Sequence, residues 1–227
     1  LKTINVPLIG SCPRWVDDIS PARLAEYKAL LAQVHREVLN LAGRAVVGAE
    51  DPCQWHLKLF APFVPLPYYA GHYRGVDHNR PCLAQQVAVG ATSIGAVPGA
   101  DYRQVRNFLD NLLNQVRGQL TQLEMRWPEL SPRDRAFQLA VVTANLVGGF
   151  IQIHPFLNGN GRVSRLLWRW CLLRFGVPPQ VCTHPRPDPP YSSIMDSAMR
   201  GDYRPAVLYV LQHLSLHKPV QNSAARN

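Results

Sequence analysis

The chain has 227 residues, 47% apolar and 17% charged, which suits an ordinary buried core and excludes a disordered tail protein. Its formal charge of +9, from 24 Lys+Arg against 15 Asp+Glu, points to an anionic partner without naming one.

Ser20-Pro21 offers an N-cap and a first-turn proline. Leu24, Tyr27, Leu31, Val34, Val38 and Leu41 then recur at helical spacing up to a stop at Gly43. The proline-rich stretch 61–67 forbids a regular helix. Glycines and short apolar alternations at 86–89 and 92–97 predict a small surface β-hairpin. An apolar stripe from Val105 to Leu123 predicts a helix ending near Pro128, and Ser131-Pro-Arg-Asp134 is a capping box opening a buried helix to about Ile153. Val163, Leu166, Leu167, Trp170 and Leu173 mark another helix, stopped by Gly176, and one or two more cover roughly 191–216. Helical patterns dominate, so the fold class is all-α, a helical bundle with one small hairpin. The expected organisation is a single domain over 1–227, with its core at about 20–215, an N-terminal extension at 1–19 and a tail at 217–227.

Five cysteines without a C-x-x-C pair argue against a disulfide framework and a zinc ribbon, and suggest free thiols in a reducing compartment. The most apolar run, 137–153, carries Gln138, Thr143, Asn145 and Gln152, so it reads as a buried helix and no membrane partner is expected.

The positive charge is mostly arginine, whose flat fork grips phosphate at two points; codon bias is the competing explanation. Between Asp134 and Asp188 there is no carboxylate, yet Arg135, Arg162, Arg165, Arg169, Arg174 and Arg186 lie there. Inside that stretch is His154-Pro-Phe-Leu-Asn-Gly-Asn-Gly-Arg-Val-Ser-Arg165. A buried helix ends at a histidine, and Gly159-Asn160-Gly161 launches the next. Glycines at a helix start let main-chain N–H groups approach a phosphate, which the helix dipole also favours. Arg162 and Arg165 share one face of the first turn, with Arg169 one turn on, and Asn160 can donate an amide N–H to the same anion. A histidine facing this nest is placed to deprotonate a hydroxyl beside an activated phosphorus.

This segment resembles the signature of the Fic family, H-P-F-x-[D/E]-G-N-G-R-x-x-R, at His154, Pro155, Phe156, Gly159, Asn160, Gly161, Arg162 and Arg165. Gly71-His-Tyr-Arg74 is similar to the family's G-x-Y-R before its flap hairpin, and 191–205 to its C-terminal helices. The resemblance implies a Fic-fold bundle with a hairpin flap, and transfer of AMP from ATP to a Ser, Thr or Tyr hydroxyl of a target protein. His154 would be the general base and Gly159, Asn160 and Gly161 the anion nest. Arg162 and Arg165 would hold the phosphates, and Phe156 would anchor the loop. The related Doc-type toxins carry lysine where Gly161 stands, and the glycine leaves room for a whole triphosphate.

Asn158 departs from the pattern. The family has a carboxylate there that holds Mg²⁺, and an amide oxygen offers the ion no charge. A working enzyme with weaker metal dependence, an enzyme with another donor, and a catalytically silent nucleotide-binding homologue all stay open, as does transfer of a different nucleotide or phosphate-containing group. The family's inhibitory [ST]-x-x-x-E-[GN] does not occur in these residues, so a separate antitoxin supplies the glutamate, the chain is unrestrained, or sequence preceding Leu1 holds it. Expected locations are the cytoplasm or, for a delivered effector, a host cell. Val87, Val89, Ile94 and Val97 are the expected target-docking flap, registering the target by strand addition. Trp168 and Trp170 read as core packing, and His213 with His217 as helical spacing without a third metal ligand. Arginines converging on a helix start speak against nucleic acid as the partner.

Overall fold

Ser131 starts the central helix as its sequence predicts. Its hydroxyl accepts the Asp134 N–H at 3.2 Å and donates to the Asp134 carboxylate at 2.6 Å, with Pro132 in the first turn. In this computed structural model, which describes residues 12–15, 19–43, 46–89, 96–179 and 181–215, the elements are α1 (Leu24–Ala42), α2 (Glu50–Phe60), β1 (Ala88–Val89), β2 (Val97–Pro98), α3 (Val105–Arg126), α4 (Pro132–Ile153), α5 (Asn160–Arg174), α6 (Tyr191–Met199) and α7 (Arg204–Ser215). The α4 helix is largely apolar from Leu139 to Ile153 because α3, α5, α6 and α7 all pack on it. It is long and apolar enough to cross a membrane, with a mean hydropathy of 1.6, but burial between helices accounts for that composition. The α1 helix covers α5, and α2 fits against both. Trp168 and Trp170 are buried in this core, Trp168 edge-on to Tyr209.

The fold is the expected all-α bundle with a two-stranded antiparallel ribbon, Ala88 opposite Pro98 and Val89 opposite Val97. Three details differ. The α2 helix has no counterpart in the periodicity reading. It is 11 residues long, and its buried Trp55, Leu59 and Phe60 are interrupted by polar His56 and Lys58. Before α1 the chain makes a 3₁₀ turn at Pro21–Arg23, and Ser20 makes no side-chain cap. The expectation of five free thiols is overturned, because Cys12 and Cys82 form a disulfide across a separation of 70 residues. Linear spacing carries no information about a pairing made by tertiary packing. Cys53 and Cys171 are buried thiols, and Cys182 is exposed. Ile94 and His217 lie outside the described residues.

Closing so long a loop removes denatured-state entropy worth about 2–4 kcal/mol. Thiol titration of the unfolded, unreduced chain is expected to find three groups and the reduced chain five. Cys82→Ala should lower urea stability by that amount, and titration of five thiols without reductant would refute the pairing.

Candidate functional site

The site is built on the turn that ends α4 and starts α5. His154 closes α4 in the left-handed region, φ 52° and ψ 60°, a conformation few non-glycine residues adopt. Its N–H bonds the Phe150 carbonyl at 3.0 Å. Its Nδ1 lies 3.2 Å from the Ile151 carbonyl. A carbonyl only accepts, so Nδ1 carries the hydrogen and Nε2 is left with the lone pair. Burial, opposed by that bond and helped by the Arg74 charge, pushes the imidazole down to about 4, so it is neutral at pH 7.

Phe156 is buried under the turn and stacks on His56, ring centroids 3.8 Å apart. The Asn160 side chain accepts the Phe156 N–H at 2.9 Å and donates to the Phe156 carbonyl at 2.9 Å. Its amide therefore closes the loop on itself, using the oxygen and one of its two N–H groups. His56 is a second clamp. Gly71 N–H donates to its Nδ1 at 2.9 Å, so Nε2 carries the hydrogen and donates to the Asn158 carbonyl at 3.1 Å. Complete burial pushes His56 down to about 3. Gly159, at φ 76°, caps α5, and a Cβ there would lie 2.6 Å from the Phe60 ring and 3.0 Å from His56. Only glycine fits.

Past Gly159, which offers no side-chain cap, the Asn160 and Gly161 N–H groups have no intrahelical acceptor, while those of Arg162 and Val163 bond the Gly159 carbonyl at 3.0 and 3.2 Å. Beneath them Arg165 is 3% exposed. Its Nε and Nη2 donate to the Thr183 carbonyl at 3.1 and 2.9 Å. Its Nη1 is buried without a hydrogen-bond partner, 3.3 Å from where a Gly161 Cβ would be. The Arg162 guanidinium lies over the Tyr27 and Phe60 rings at 5.2 and 5.3 Å.

A cavity of 470 Å³ is lined by His154 and residues 158–161 on one side and by Tyr191, Met195, Asp196 and Met199 of α6 on the other. Val89 and Arg186 also line it. His154, Asn158, Gly159, Asn160 and Gly161 are thus brought together, while Arg162 and Arg165 stand behind them. Of the expected flap, Val89 reaches the cavity, and Val87 and Val97 are half-buried beside it. Arg169 does not join the nest; its charge acts instead on the half-buried His35.

The residues present do not fit a magnesium site at Asn158. Its Oδ1 accepts the Gly159 N–H at 2.7 Å and its Nδ2 donates to the Trp15 carbonyl at 3.2 Å, so it offers a cation at most the second lone pair of an uncharged oxygen. No cluster of three or more His, Cys, Asp or Glu occurs among the described residues.

Sequence reasoning gave no role to His56, Arg74 or Asp196. His56 went unnoticed along with α2. Arg74 was visible in Gly71-His-Tyr-Arg74, but its partners are carbonyls and leave no pattern in the sequence. Asp196 is the carboxylate lining the cavity, its Oδ1 buried without a hydrogen-bond partner and its Oδ2 3.2 Å from Arg200.

A family model described as Fic/DOC matches residues 47–172. Two proteins named protein adenylyltransferase Fic, from Drosophila grimshawi and Culex quinquefasciatus, are 27% and 29% identical over 119 residues, 52% of this chain. The chain spans 24% of the length of these curated relatives. A Fic domain containing signaling protein from Bacteroides thetaiotaomicron shares the fold with a TM-score of 0.61 and 17% identity, over 88% of this chain and 74% of its own. BepC of Bartonella tribocorum, a VirB-translocated effector solved with bound AMPPNP, gives 0.53 and 18%, over 86% of this chain and 87% of its own.

His35, His56 and His154 are all held below their ordinary value of 6.5 in the folded chain. Their neutral forms stabilise the fold fully above that pH, and the contribution is lost as pH falls toward about 4 for His35 and His154 and about 3 for His56. The protons taken up on unfolding make stability fall as the pH drops through this window, and the fully buried His56 alone accounts for a slope of about 1.4 kcal/mol per pH unit. Urea unfolding between these limits should show it, and His56→Gln should flatten it by about 1.4 kcal/mol per unit.

Proposed function

Because the chain belongs to the Fic/DOC family, we propose that it transfers AMP from ATP to a Ser, Thr or Tyr hydroxyl of a target protein. The observation that carries this reading is a neutral His154 lining the same cavity as the uncapped start of α5, above a buried Arg165 with an unpartnered Nη1.

The target hydroxyl loses its proton to Nε2 of His154 as its oxygen attacks the α-phosphorus. The bond to the β-phosphate breaks and pyrophosphate leaves with the electron pair. Main-chain N–H groups at Gly161 and the start of α5 face the phosphates, and Arg162 and Arg165 balance their charge from behind. A proton affinity as low as that of free His154 makes a weak base. The arriving polyphosphate opposes the Arg74 charge and raises it toward the working range. Tyr191, Met195 and Met199 provide a mostly apolar wall for the nucleoside, and the edge of β1 and β2 receives the target by strand addition. An antitoxin supplying a glutamate to Arg165 would oppose ATP by occupying its free N–H. Translocation as an effector, as for BepC, is one setting for such an activity.

Asn158 favours a second reading, a nucleotide-binding homologue that does not turn over, since both polar ends of its side chain are engaged within the protein. The two readings part on one experiment. With [α-³²P]ATP, magnesium and a cell lysate, the transferase labels protein and [γ-³²P]ATP does not. His154→Ala should cut the label at least about 100-fold, while Arg165→Ala should weaken AMPPNP binding as well. AMPPNP binding without label, in both the parent and Asn158→Asp, supports the silent homologue.

A further inference from the structure

Arg74 is 2% exposed, yet every hydrogen bond its side chain makes ends on a main-chain carbonyl. Nε donates to His154 at 2.8 Å and Nη2 to Ile153 at 3.1 Å, both at the end of α4. The same Nη2 donates to Ala100 at 2.9 Å, just after β2, and Nη1 to Gln85 at 3.0 Å, just before β1. Its own N–H donates to Pro155 at 2.7 Å. Burying a guanidinium without a bonded carboxylate is costly, and an apolar side chain would hold the packing more cheaply. Asp101, whose charge reaches Arg74, has its carboxylate tied to Arg103. What the guanidinium offers that no other side chain does is a flat fork joining several carbonyls at once.

Those carbonyls belong to the two sides of the hairpin base and to the main chain of His154. Gly99 sits at the junction. A Cβ there would come within 2.9 Å of the His154 Cβ and 3.2 Å of both the Arg74 Nη2 and a Val87 methyl. The hairpin base is otherwise closed by Gly99 N–H to Val87 at 3.0 Å and Gln86 Nε2 to Gly99 at 2.7 Å. Ala100 N–H reaches the Ile153 carbonyl at 3.1 Å.

We propose that Arg74 is a positioning residue that ties the base of the hairpin to the backbone of His154, fixing the distance between a docked target hydroxyl and the imidazole that deprotonates it. The inference rests on the transferase reading for its consequence, but not for its geometry. Arg74 touches no substrate. It acts through His154 and through the β1–β2 ribbon.

Arg74→Lys, Arg74→Gln and Gly99→Ala in the full chain test this with four readouts. The first is hydrogen exchange at the Gly99 and Ala100 amides, which should speed by at least about tenfold in all three variants while the amides of α3 and α7 stay protected. The second is the His154 ring titration by NMR. It should move to higher pH in Arg74→Gln, which loses the positive charge, and stay in place in Arg74→Lys, which keeps it. The third is AMPPNP affinity, expected within about threefold of the parent because the nest is untouched. The fourth is AMP transfer, expected to fall about 100-fold, the cost of misplacing reacting groups by about an ångström.

Unchanged exchange at the hairpin base, or AMPPNP affinity falling in step with transfer, overturns the proposal. Should Arg74→Gln fail to fold, Arg74→Lys and Gly99→Ala decide it. A parent chain that transfers no AMP would sink the transferase reading, and the exchange and titration readouts would still judge the tie.

Discussion

Everything at the site depends on one constraint: residues 154–159 must end a helix, reverse the chain and start another while leaving the new helix's first N–H groups open. Both ends of that turn sit at positive φ, 52° at His154 and 76° at Gly159. Glycine takes that conformation freely, but histidine pays about 1 kcal/mol for it. A turn of this kind persists only where its surroundings over-determine it. Here the surroundings are three clamps from three distant parts of the chain. The α2 helix sends His56 to stack on Phe156 and hold the Asn158 carbonyl. The hairpin base reaches it through Arg74. The segment at 12–15, held by the Cys12–Cys82 bridge, takes the Asn158 amide on the Trp15 carbonyl.

The clamps explain why side chains that look chemical are spent on structure. Asn160 offers N–H groups an oxyanion would want, but one of them and the amide oxygen are used on Phe156. Asn158 offers the oxygen a cation would want, but it caps the Gly159 N–H. Among the described residues, what remains for a ligand is main chain, together with Nε2 of His154, Nη1 of Arg165 and Oδ1 of Asp196. The chemistry of the turn lies in what its hydrogen bonds leave unmade.

That division also marks how far the sequence could be read. Helices α1, α3, α4 and α5 follow from apolar periodicity, and the α4 start from a capping box, because burial of a helix face writes a repeat into the chain. Helix α2 leaves a broken repeat, since one of its buried positions is a histidine used for hydrogen bonding. The motif named the residues of the turn, and the cavity is lined by His154 and 158–161. It did not say which way the Asn160 amide faces, because a residue type fixes donors and acceptors but not their partners. The disulfide and the Arg74 tie were hidden for the same reason: both join positions far apart in sequence through contacts that only the packed chain makes.

The charge distribution sharpens the point. The acid-free stretch from 135 to 187 carries six arginines, and three of them satisfy other needs. Arg135 donates to the Trp127 and Pro128 carbonyls, Arg174 pairs with Glu124, and Arg186 pairs with Asp188 at 2.8 Å. A surplus of arginine in a segment therefore does not measure charge at a site. What matters is how each guanidinium is satisfied. Arg165 is held by a carbonyl and the Tyr191 ring and Arg74 by carbonyls, and among the described residues no carboxylate bonds to either. Carbonyls and rings fix a guanidinium in place without cancelling its charge, whereas an ion pair would do both. Positive potential at the turn is thereby rigid and still available when an anion arrives, a condition that preorganised phosphate recognition requires.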